Sequence, residues 1–109
     1  MVRDDDFQRH ASAAFQDLHD SLMSASEDYD FAVTRDGSKL VVESKHPPAR
    51  CVVEVHPAFS QIWIATASKT IKLDWDIVEN AFLLTRTGET LREVIEQALS
   101  AQLRQEVVL

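Results

Sequence analysis

The chain has 109 residues, of which 45% are hydrophobic and 27% are charged. This length suits one domain with a core and is short for two, and the hydrophobic content is too high for a disordered chain. With 18 acidic and 11 basic residues the formal charge is −7. That charge repels a phosphate backbone over most of the surface, which argues against a nucleic-acid partner. We therefore expect one folded domain over residues 1–109.

The cysteine content and the terminal sequence indicate a compartment. Cys51 is the single cysteine, so no intramolecular disulfide can form, and a reducing environment is expected. The N-terminal residues carry no apolar signal-peptide core, and no apolar run is long enough to span a bilayer. We predict a cytoplasmic protein with no membrane partner.

An apolar stripe at the helical period marks the first element. Its members recur three or four positions apart and are Phe7, Ala11, Ala14, Phe15, Leu18 and Leu22. This spacing places them on one face of a helix, which we predict over residues 5–24. Asp5, three positions before Gln8, resembles a capping box, and acidic residues at this end suit the helix dipole.

Short runs with β-type patterns follow the helix. We predict six strands, over residues 31–34, 39–44, 51–56, 61–66, 71–74 and 81–85. The Asp36-Gly37 pair predicts a hairpin between the first two strands. Two prolines, Pro47 and Pro48, lack backbone donors and predict a loop over residues 45–50. Because most connections are short, the strands should form an antiparallel meander.

A second amphipathic helix closes the chain. It begins at Thr90, which forms a capping box with Glu93, and it ends near Leu103 or Arg104. Its apolar stripe consists of Leu91, Val94, Ile95, Ala98 and Leu99. Residues 106–109 are apolar enough that we expect them to fold back and pack between the helices.

Two amphipathic helices that flank one sheet are accommodated most simply on the same sheet face. The predicted fold is therefore α+β, a two-layer sandwich with two helices on one face of an antiparallel sheet of about six strands. The other face remains in water, as antiparallel sheets allow.

One strand places a tryptophan on that wet face. Alternate side chains of a strand face opposite sides, so inward Ile62 and Ile64 imply outward Gln61 and Trp63. An outward tryptophan indicates a binding partner, and Gln61 and Trp63 are our candidate partner-binding residues. The alternative is a structural tryptophan that neighbouring side chains half cover, since isolated exposed aromatics are common.

Acidic residues cluster on one side of the first helix and just after it. This acidic cluster comprises Asp6, His10, Asp17, Asp20, Glu27, Asp28 and Asp30. On a helical wheel its first four members lie within about 80° of one another, well away from the apolar stripe. The cluster could hold a cation, or it could be a solvated helix face, as most charge runs are.

The remaining reactive residue types show no catalytic pattern. Cys51 and His56 are an odd number of positions apart on one predicted strand, so they face opposite sides of the sheet and cannot form a dyad. Cys51 fits better as a small apolar core residue. The sequence contains no P-loop, zinc-protease motif or Ser-His-Asp order, which argues against a hydrolase or transferase.

Three features together resemble the frataxin family, and in particular its bacterial members. They are the order of the elements, the strand Gln61-Ile62-Trp63-Ile64, and the segment Arg86-Thr87-Gly88-Glu89-Thr90-Leu91 leading into the last helix. The match spans almost the whole chain, with Phe82 where the family usually has a second tryptophan. The chain departs from the family at Glu54, where an Asn is expected, in the loop over residues 45–50, and at residues 23–26, where bacterial members carry more acid.

The resemblance implies a non-catalytic protein of iron–sulfur cluster assembly. Frataxins bind iron weakly through acid on the first helix and the adjoining edge strand, and they dock on the cysteine desulfurase and its scaffold protein. By this resemblance the carboxylates of the acidic cluster would bind Fe²⁺ or Fe³⁺ weakly, because hard iron cations accept carboxylate oxygens. His10 is either solvated or a further ligand, since imidazole also suits iron. Gln61 and Trp63 would lie at the docking surface of a monomer.

Two other functions stay open. A ferroxidase would gather carboxylates and histidines in an enclosed site, as Glu-x-x-His pairs do in helical bundles; neither predicted helix contains such a pair. A small acidic chaperone of secreted effectors would have a similar size and a mixed fold, but it would be a dimer. The order of the elements and the Gln61-x-Trp63 strand argue against the chaperone.

Overall fold

The structure is a computed structural model that describes residues 4–45, 48–66 and 69–109, with side chains from residue 7 onward. Its two helices are α1 (Asp4–Ala25) and α2 (Leu91–Leu103). Between them lie β1 (Phe31–Asp36), β2 (Lys39–Lys45), β3 (Pro48–His56), a 3-10 turn (Pro57–Phe59), β4 (Gln61–Ala65), β5 (Thr70–Asp76), β6 (Ala81–Leu84) and β7 (Glu89–Thr90). No helix of the described residues is both long and apolar enough to cross a membrane.

The sheet is the predicted antiparallel meander. Its strands are hydrogen-bonded in sequence order from β1 to β7. A seventh strand extends the predicted six, because Glu89 and Thr90 pair with Leu84 and Leu83 before α2 begins. Two residues are too short a run to produce a β-type alternation in the sequence.

The predicted loop over residues 45–50 is wrong for the part that the structure describes. Lys45 ends β2, and Pro48 opens β3 directly opposite it. The first residue of a strand can lack a donor without breaking the ladder, so Pro48 is tolerated there. His46 and Pro47, the rest of the predicted loop, lie outside the described residues.

Both helices cover one face of the sheet, as predicted. The apolar stripe of α1, the inward residues of the strands and the stripe of α2 form one buried cluster. The cluster is dense at the sheet centre, where Val53, Ile62, Ile64 and Leu73 are completely buried. Because successive strand residues alternate, these inward positions fix which side chains lie on the opposite face, which we call the outer face.

The segment after α2 folds back as predicted. Val107 joins the core at 2% exposure, and its backbone N–H donates to Ser100 Oγ at 2.9 Å. The N–H of Val108 donates to the Tyr29 hydroxyl at 3.2 Å, and that of Leu109 to Glu96 Oε2 at 2.8 Å. Leu109 borders a cleft shared by α1 and α2. The segment is thus held by backbone hydrogen bonds as well as by burial.

The capping box at the start of α2 is confirmed. The backbone N–H of Glu93 donates to Thr90 Oγ1 at 3.2 Å, and the N–H of Thr90 donates to Glu93 Oε1 at 3.1 Å. The reciprocal pair satisfies two donors at the helix start. The corresponding box predicted at Asp5 involves a side chain outside the described residues.

Candidate functional site

Trp63 lies on the outer face at the centre of the sheet. β4 is the fourth of seven strands, and in the pairing register Trp63 sits opposite Glu54 of β3 and Lys72 of β5. Its neighbours Ile62 and Ile64 are buried on the helix side. The alternation therefore places Trp63 as the sequence predicted, on the face without helices.

Neighbouring side chains from both flanking strands cover part of the indole. From β3, His56 stacks on it with ring centroids 3.8 Å apart and an angle of 19°. From β5, Lys72 places Nζ 4.4 Å from the ring centroid, in cation–π geometry. Trp63 is thus half-buried, and neighbouring side chains half cover it, as the alternative interpretation expects.

A third aromatic side chain extends the surface outward. Phe59, on the 3-10 turn, stacks near Trp63 with centroids 5.5 Å apart and is 62% exposed. A large apolar side chain left that exposed beside a tryptophan and a histidine forms an aromatic patch, and such patches mark interaction sites. We call His56, Phe59, Trp63 and Lys72 the Trp63 cluster.

Hydrogen bonds fix the orientation of the indole. Its Nε1–H donates to Gln61 Oε1 at 2.8 Å, and Gln61 Nε2 donates to Asp74 Oδ1 at 2.9 Å. The second carboxylate oxygen of Asp74 accepts from Thr85 Oγ1 at 3.0 Å. An indole N–H can only donate and a carboxylate can only accept, so the Gln61 amide is held in one orientation. This series of hydrogen bonds gives Gln61 a positioning role.

The Trp63 cluster is consequently a preorganised contact surface. An aromatic side chain that is already fixed by stacking and hydrogen bonding loses little entropy when a partner covers it. Tryptophans at the centre of a patch, ringed by other contacts, are typical binding hot spots. The geometry suits recognition of a protein surface.

Most members of this cluster were missed from the sequence, although a signal was present. His56 pairs with Gln61, and Lys72 pairs with Trp63, so both lie on the outer face once the register is known. His56 lies two positions after Glu54 in the same predicted strand, so the sequence already indicated that these two side chains share a face of the sheet. Phe59 lies in a turn, where alternation predicts nothing.

The acidic cluster is spread over the surface. Asp17 and Asp20 are exposed on α1, and Glu27, Asp28 and Asp30 are exposed between α1 and β1. Asp20 accepts a hydrogen bond from Gln16 Nε2 at 2.9 Å, and Asp20 and Asp28 border one shallow depression. The side chain of Asp6 lies outside the described residues. Among the side chains that are described, no three of the metal-binding types form a group that could hold an ion.

His10 has an aromatic partner. It stacks on Trp75 of β5 with centroids 3.9 Å apart and an angle of 13°. Trp75 in turn meets Phe82 edge-on at 5.0 Å, and Phe82 meets Phe7 of α1 at 5.9 Å. His10 thus extends a row of rings from the core, so packing explains its position on α1.

Two pKa shifts lie outside the Trp63 cluster. Burial raises the pKa of the Cys51 thiol to about 12, so Cys51 stays neutral in the core and is a poor nucleophile. Hydrogen bonds from Thr87 and then from Gln97 hold the pKa of Glu89 below its ordinary value. As predicted, Cys51 lies in the core while His56 lies on the outer face.

Comparison with known proteins gives one sequence family and a structural match. A frataxin-like domain family matches residues 1–105. The fold is similar to that of frataxin from Psychromonas ingrahamii, described within the CyaY protein family, with a TM-score of 0.82 and 18% identity over 98% of this chain and 97% of that chain. No curated protein matches the sequence. The chain belongs to the frataxin family, which is linked to iron–sulfur cluster assembly.

Proposed function

We propose that this chain is a non-catalytic accessory protein of iron–sulfur cluster assembly. It docks through the Trp63 cluster on the complex of cysteine desulfurase and scaffold protein. It also binds Fe²⁺ or Fe³⁺ weakly on the acidic cluster, as iron donor or regulator. The observation that carries the docking proposal is the fixed indole, held by His56, Lys72 and Gln61 on a face without helices.

A physical argument supports docking, in addition to the membership of the family. A solvent-facing tryptophan that served only the fold would gain little from a hydrogen-bond chain that fixes its orientation. The chain through Gln61 to Asp74 and Thr85 costs side-chain entropy and lies outside the core. Fixing the indole in advance is useful when a partner has to meet it in one orientation.

The support for iron binding is the exposed negative charge. Hard cations prefer carboxylate oxygens, and a weak surface site needs clustered charge more than an enclosed cage. Asp20 and Asp28 border the same depression, which makes them the pair we expect to contribute most. Stacking on Trp75 engages the face of the His10 ring and not its in-plane nitrogens, so His10 stays a candidate further ligand.

Docking is tested by the affinity for purified cysteine desulfurase, measured by calorimetry for the wild type and for Trp63→Ala. Loss of a central aromatic hot spot costs about 2 kcal/mol or more, so the Kd should rise at least ~30-fold. The matched control is Val78→Ala, because Val78 is 90% exposed on the β5–β6 turn. This control should change the Kd less than about twofold.

Three results would argue against the docking proposal. They are no binding by the wild type, an equal loss in the two variants, and an unchanged Kd for Trp63→Ala. Thermal unfolding of both variants separates a loss of contact from a loss of fold. Because the indole is outside the core, Trp63→Ala should remain folded.

Iron binding is tested by NMR, through the broadening of backbone amide signals when Fe²⁺ is added without oxygen. We expect broadening at Asp17, Asp20 and residues 27–30, and its loss in the double variant Asp20→Asn with Asp28→Asn. The control is Glu43→Gln with Glu79→Gln, which removes the same charge from two other exposed positions. Broadening that is diffuse, or that both double variants reduce equally, would contradict the acidic cluster as the site.

A further inference from the structure

A cleft of about 510 Å³ opens between α2 and one end of the sheet. The sheet side comes from the start of β3, from Thr66 after β4, and from Lys69 and Ile71 at the start of β5. The helix side comes from one face of α2, from Val94 to Gln102, and from Arg104 after it. This volume lies in the ordinary range for small-molecule sites. The cleft shares no lining residue with the Trp63 cluster.

The lining of this cleft is positive in a negative protein. It includes Arg50, Lys69 and Arg104, and none of the described lining residues is acidic. By contrast, three further clefts in the described structure have acidic borders. Asp17 and Arg92 border one, Asp76 and Glu79 border the second, and Asp20 and Asp28 border the third. Three of the 11 basic residues of a chain with net charge −7 therefore meet at one cavity.

The three cations have little internal compensation. In the part of the chain that the structure describes, none of them forms a salt bridge or a side-chain hydrogen bond. Lys69 lies near enough to Glu89 to contribute to lowering its pKa, but hydrogen bonds from Thr87 and Gln97 contribute more. Glu89 itself lies outside the lining. Arg50 lies opposite Glu43 in the register of β2 and β3, so the charge available to a ligand is mainly that of Lys69 and Arg104.

The walls of the cleft are fixed, and part of its surface is apolar. Gln102 Nε2 donates to Ser44 Oγ at 3.2 Å and to the Ala49 carbonyl at 3.3 Å, which ties α2 to the sheet. On the sheet side, the backbone N–H of Thr66 donates to the Lys69 carbonyl at 2.8 Å, which joins the end of β4 to the start of β5. Ile71, Val94 and Ala98 supply apolar surface between the charged residues.

We propose that this cleft binds a small organic anion with an apolar body. A carboxylate or phosphate group meets Lys69 and Arg104, and the body lies on Ile71, Val94 and Ala98. Arg50 adds positive charge at the rim of the cleft, because the alternation along β3 directs its side chain toward the outer face. Guanidinium groups suit these oxyanions because their N–H donors match the paired oxygens. The proposal is independent of docking at Trp63 and of iron binding, since the lining shares no residue with the Trp63 cluster or with the acidic cluster.

The proposal is tested by following backbone amide shifts while a probe is added. The probes are 1-naphthaleneacetate and 1-naphthyl phosphate, which pair an apolar ring system with the two oxyanions. Neutral 1-naphthaleneacetamide is the matched control for the carboxylate. We expect saturable shifts at Lys69, Ala98 and Ala101 with either anion, and at least tenfold weaker binding of the amide. Preference for one of the two anions identifies the ligand's charged group.

Variants locate the charge that matters. Lys69→Gln with Arg104→Gln should weaken binding at least tenfold, while Arg86→Gln with Arg92→Gln removes equal charge elsewhere and should change it less than twofold. All four residues are exposed, so the thermal midpoints should stay close to that of the wild type. Shifts confined to the outer face, equal binding of the amide, equal losses in both double variants, or no saturable binding would overturn the proposal. Should a variant unfold, the comparison of acid with amide on the wild type still decides.

Discussion

The segment after α2 offers a sharp test of what stabilises this fold, because two adjacent valines have opposite environments. Val107 is 2% exposed and belongs to the core, whereas Val108 is 61% exposed. Both donate backbone N–H bonds, to Ser100 and Tyr29. Replacing either valine by alanine leaves those backbone bonds intact. The pair Val107→Ala and Val108→Ala therefore isolates side-chain burial.

The expected cost at Val107 follows from the volume that is lost. Truncation removes two carbons, at about 0.8 kcal/mol for each buried carbon transferred to water. A residual cavity of up to about 50 Å³ adds about 1 kcal/mol where the surroundings do not collapse. The total is about 2–3 kcal/mol for Val107→Ala, against less than about 0.5 kcal/mol for Val108→Ala.

The measurement is unfolding in urea, followed by far-UV circular dichroism, with a thermal scan as a second readout. For a domain of this size the Val107 variant should lose about 10 °C in its thermal midpoint, while the Val108 variant stays near the wild type. The slope of free energy against urea should be the same for all three proteins. Equal destabilisation within about 0.5 kcal/mol would refute the packing of this segment.

Three further predictions concern the buried thiol, the capping box and the orientation of the indole. The Cys51 pKa is raised in the folded state from 9.0 to about 12. Between these two pH values the thiol loses its proton in the unfolded state but keeps it in the folded state. The free energy of unfolding should therefore fall as pH rises, by up to about 1.4 kcal/mol per pH unit. The free energy of unfolding is measured against pH for the wild type and for Cys51→Ala, and the difference between the two curves isolates the contribution of the thiol. A difference that does not change with pH would contradict the prediction. Thr90→Ala should cost about 1 kcal/mol in urea unfolding, since it removes one cap at the start of α2; a cost below about 0.3 kcal/mol would deny the cap a role. Gln61→Leu should leave stability nearly unchanged but shift the ¹⁵N resonance of the Trp63 indole and speed its exchange with solvent; an unaltered indole signal would mean that Gln61 does not orient the ring.

The helices and the meander could be predicted because their signals are local. The stripe from Phe7 to Leu22 repeats over about four turns of helix, and α1 was placed within one residue of Asp4–Ala25 at each end. Thr90 and Glu93 lie three residues apart and form their box without help from the rest of the chain. The burial of Val107 was inferred from the cost of leaving an apolar segment in water, which also needs no knowledge of the fold.

The features that were not predicted depend on contacts between residues that are far apart in the sequence. Pro48 was assigned to a loop from its missing donor, yet its place opposite Lys45 follows from the register of two strands. His10 lies among carboxylates on the helical wheel, and only the packing of α1 on β5 brings it to Trp75. The cleft beneath α2 gathers Arg50, Lys69 and Arg104 from three separate segments, so no local motif could indicate it.

The separation of these surfaces has a consequence for salt dependence. Contacts of the acidic cluster and of the basic cleft depend on exposed charges, which are screened beyond about 10 Å at 0.1 M salt and beyond about 3 Å at 1 M. The stacking of a partner on Trp63 depends on buried apolar area, which salt does not screen. We therefore expect added salt to weaken iron binding and anion binding steeply. By contrast, the Kd for the desulfurase of Trp63→Ala, divided by that of the wild type, should stay the same as salt is added. A ratio that falls toward one in high salt would place the docking energy in charges such as Lys72 and not in the indole.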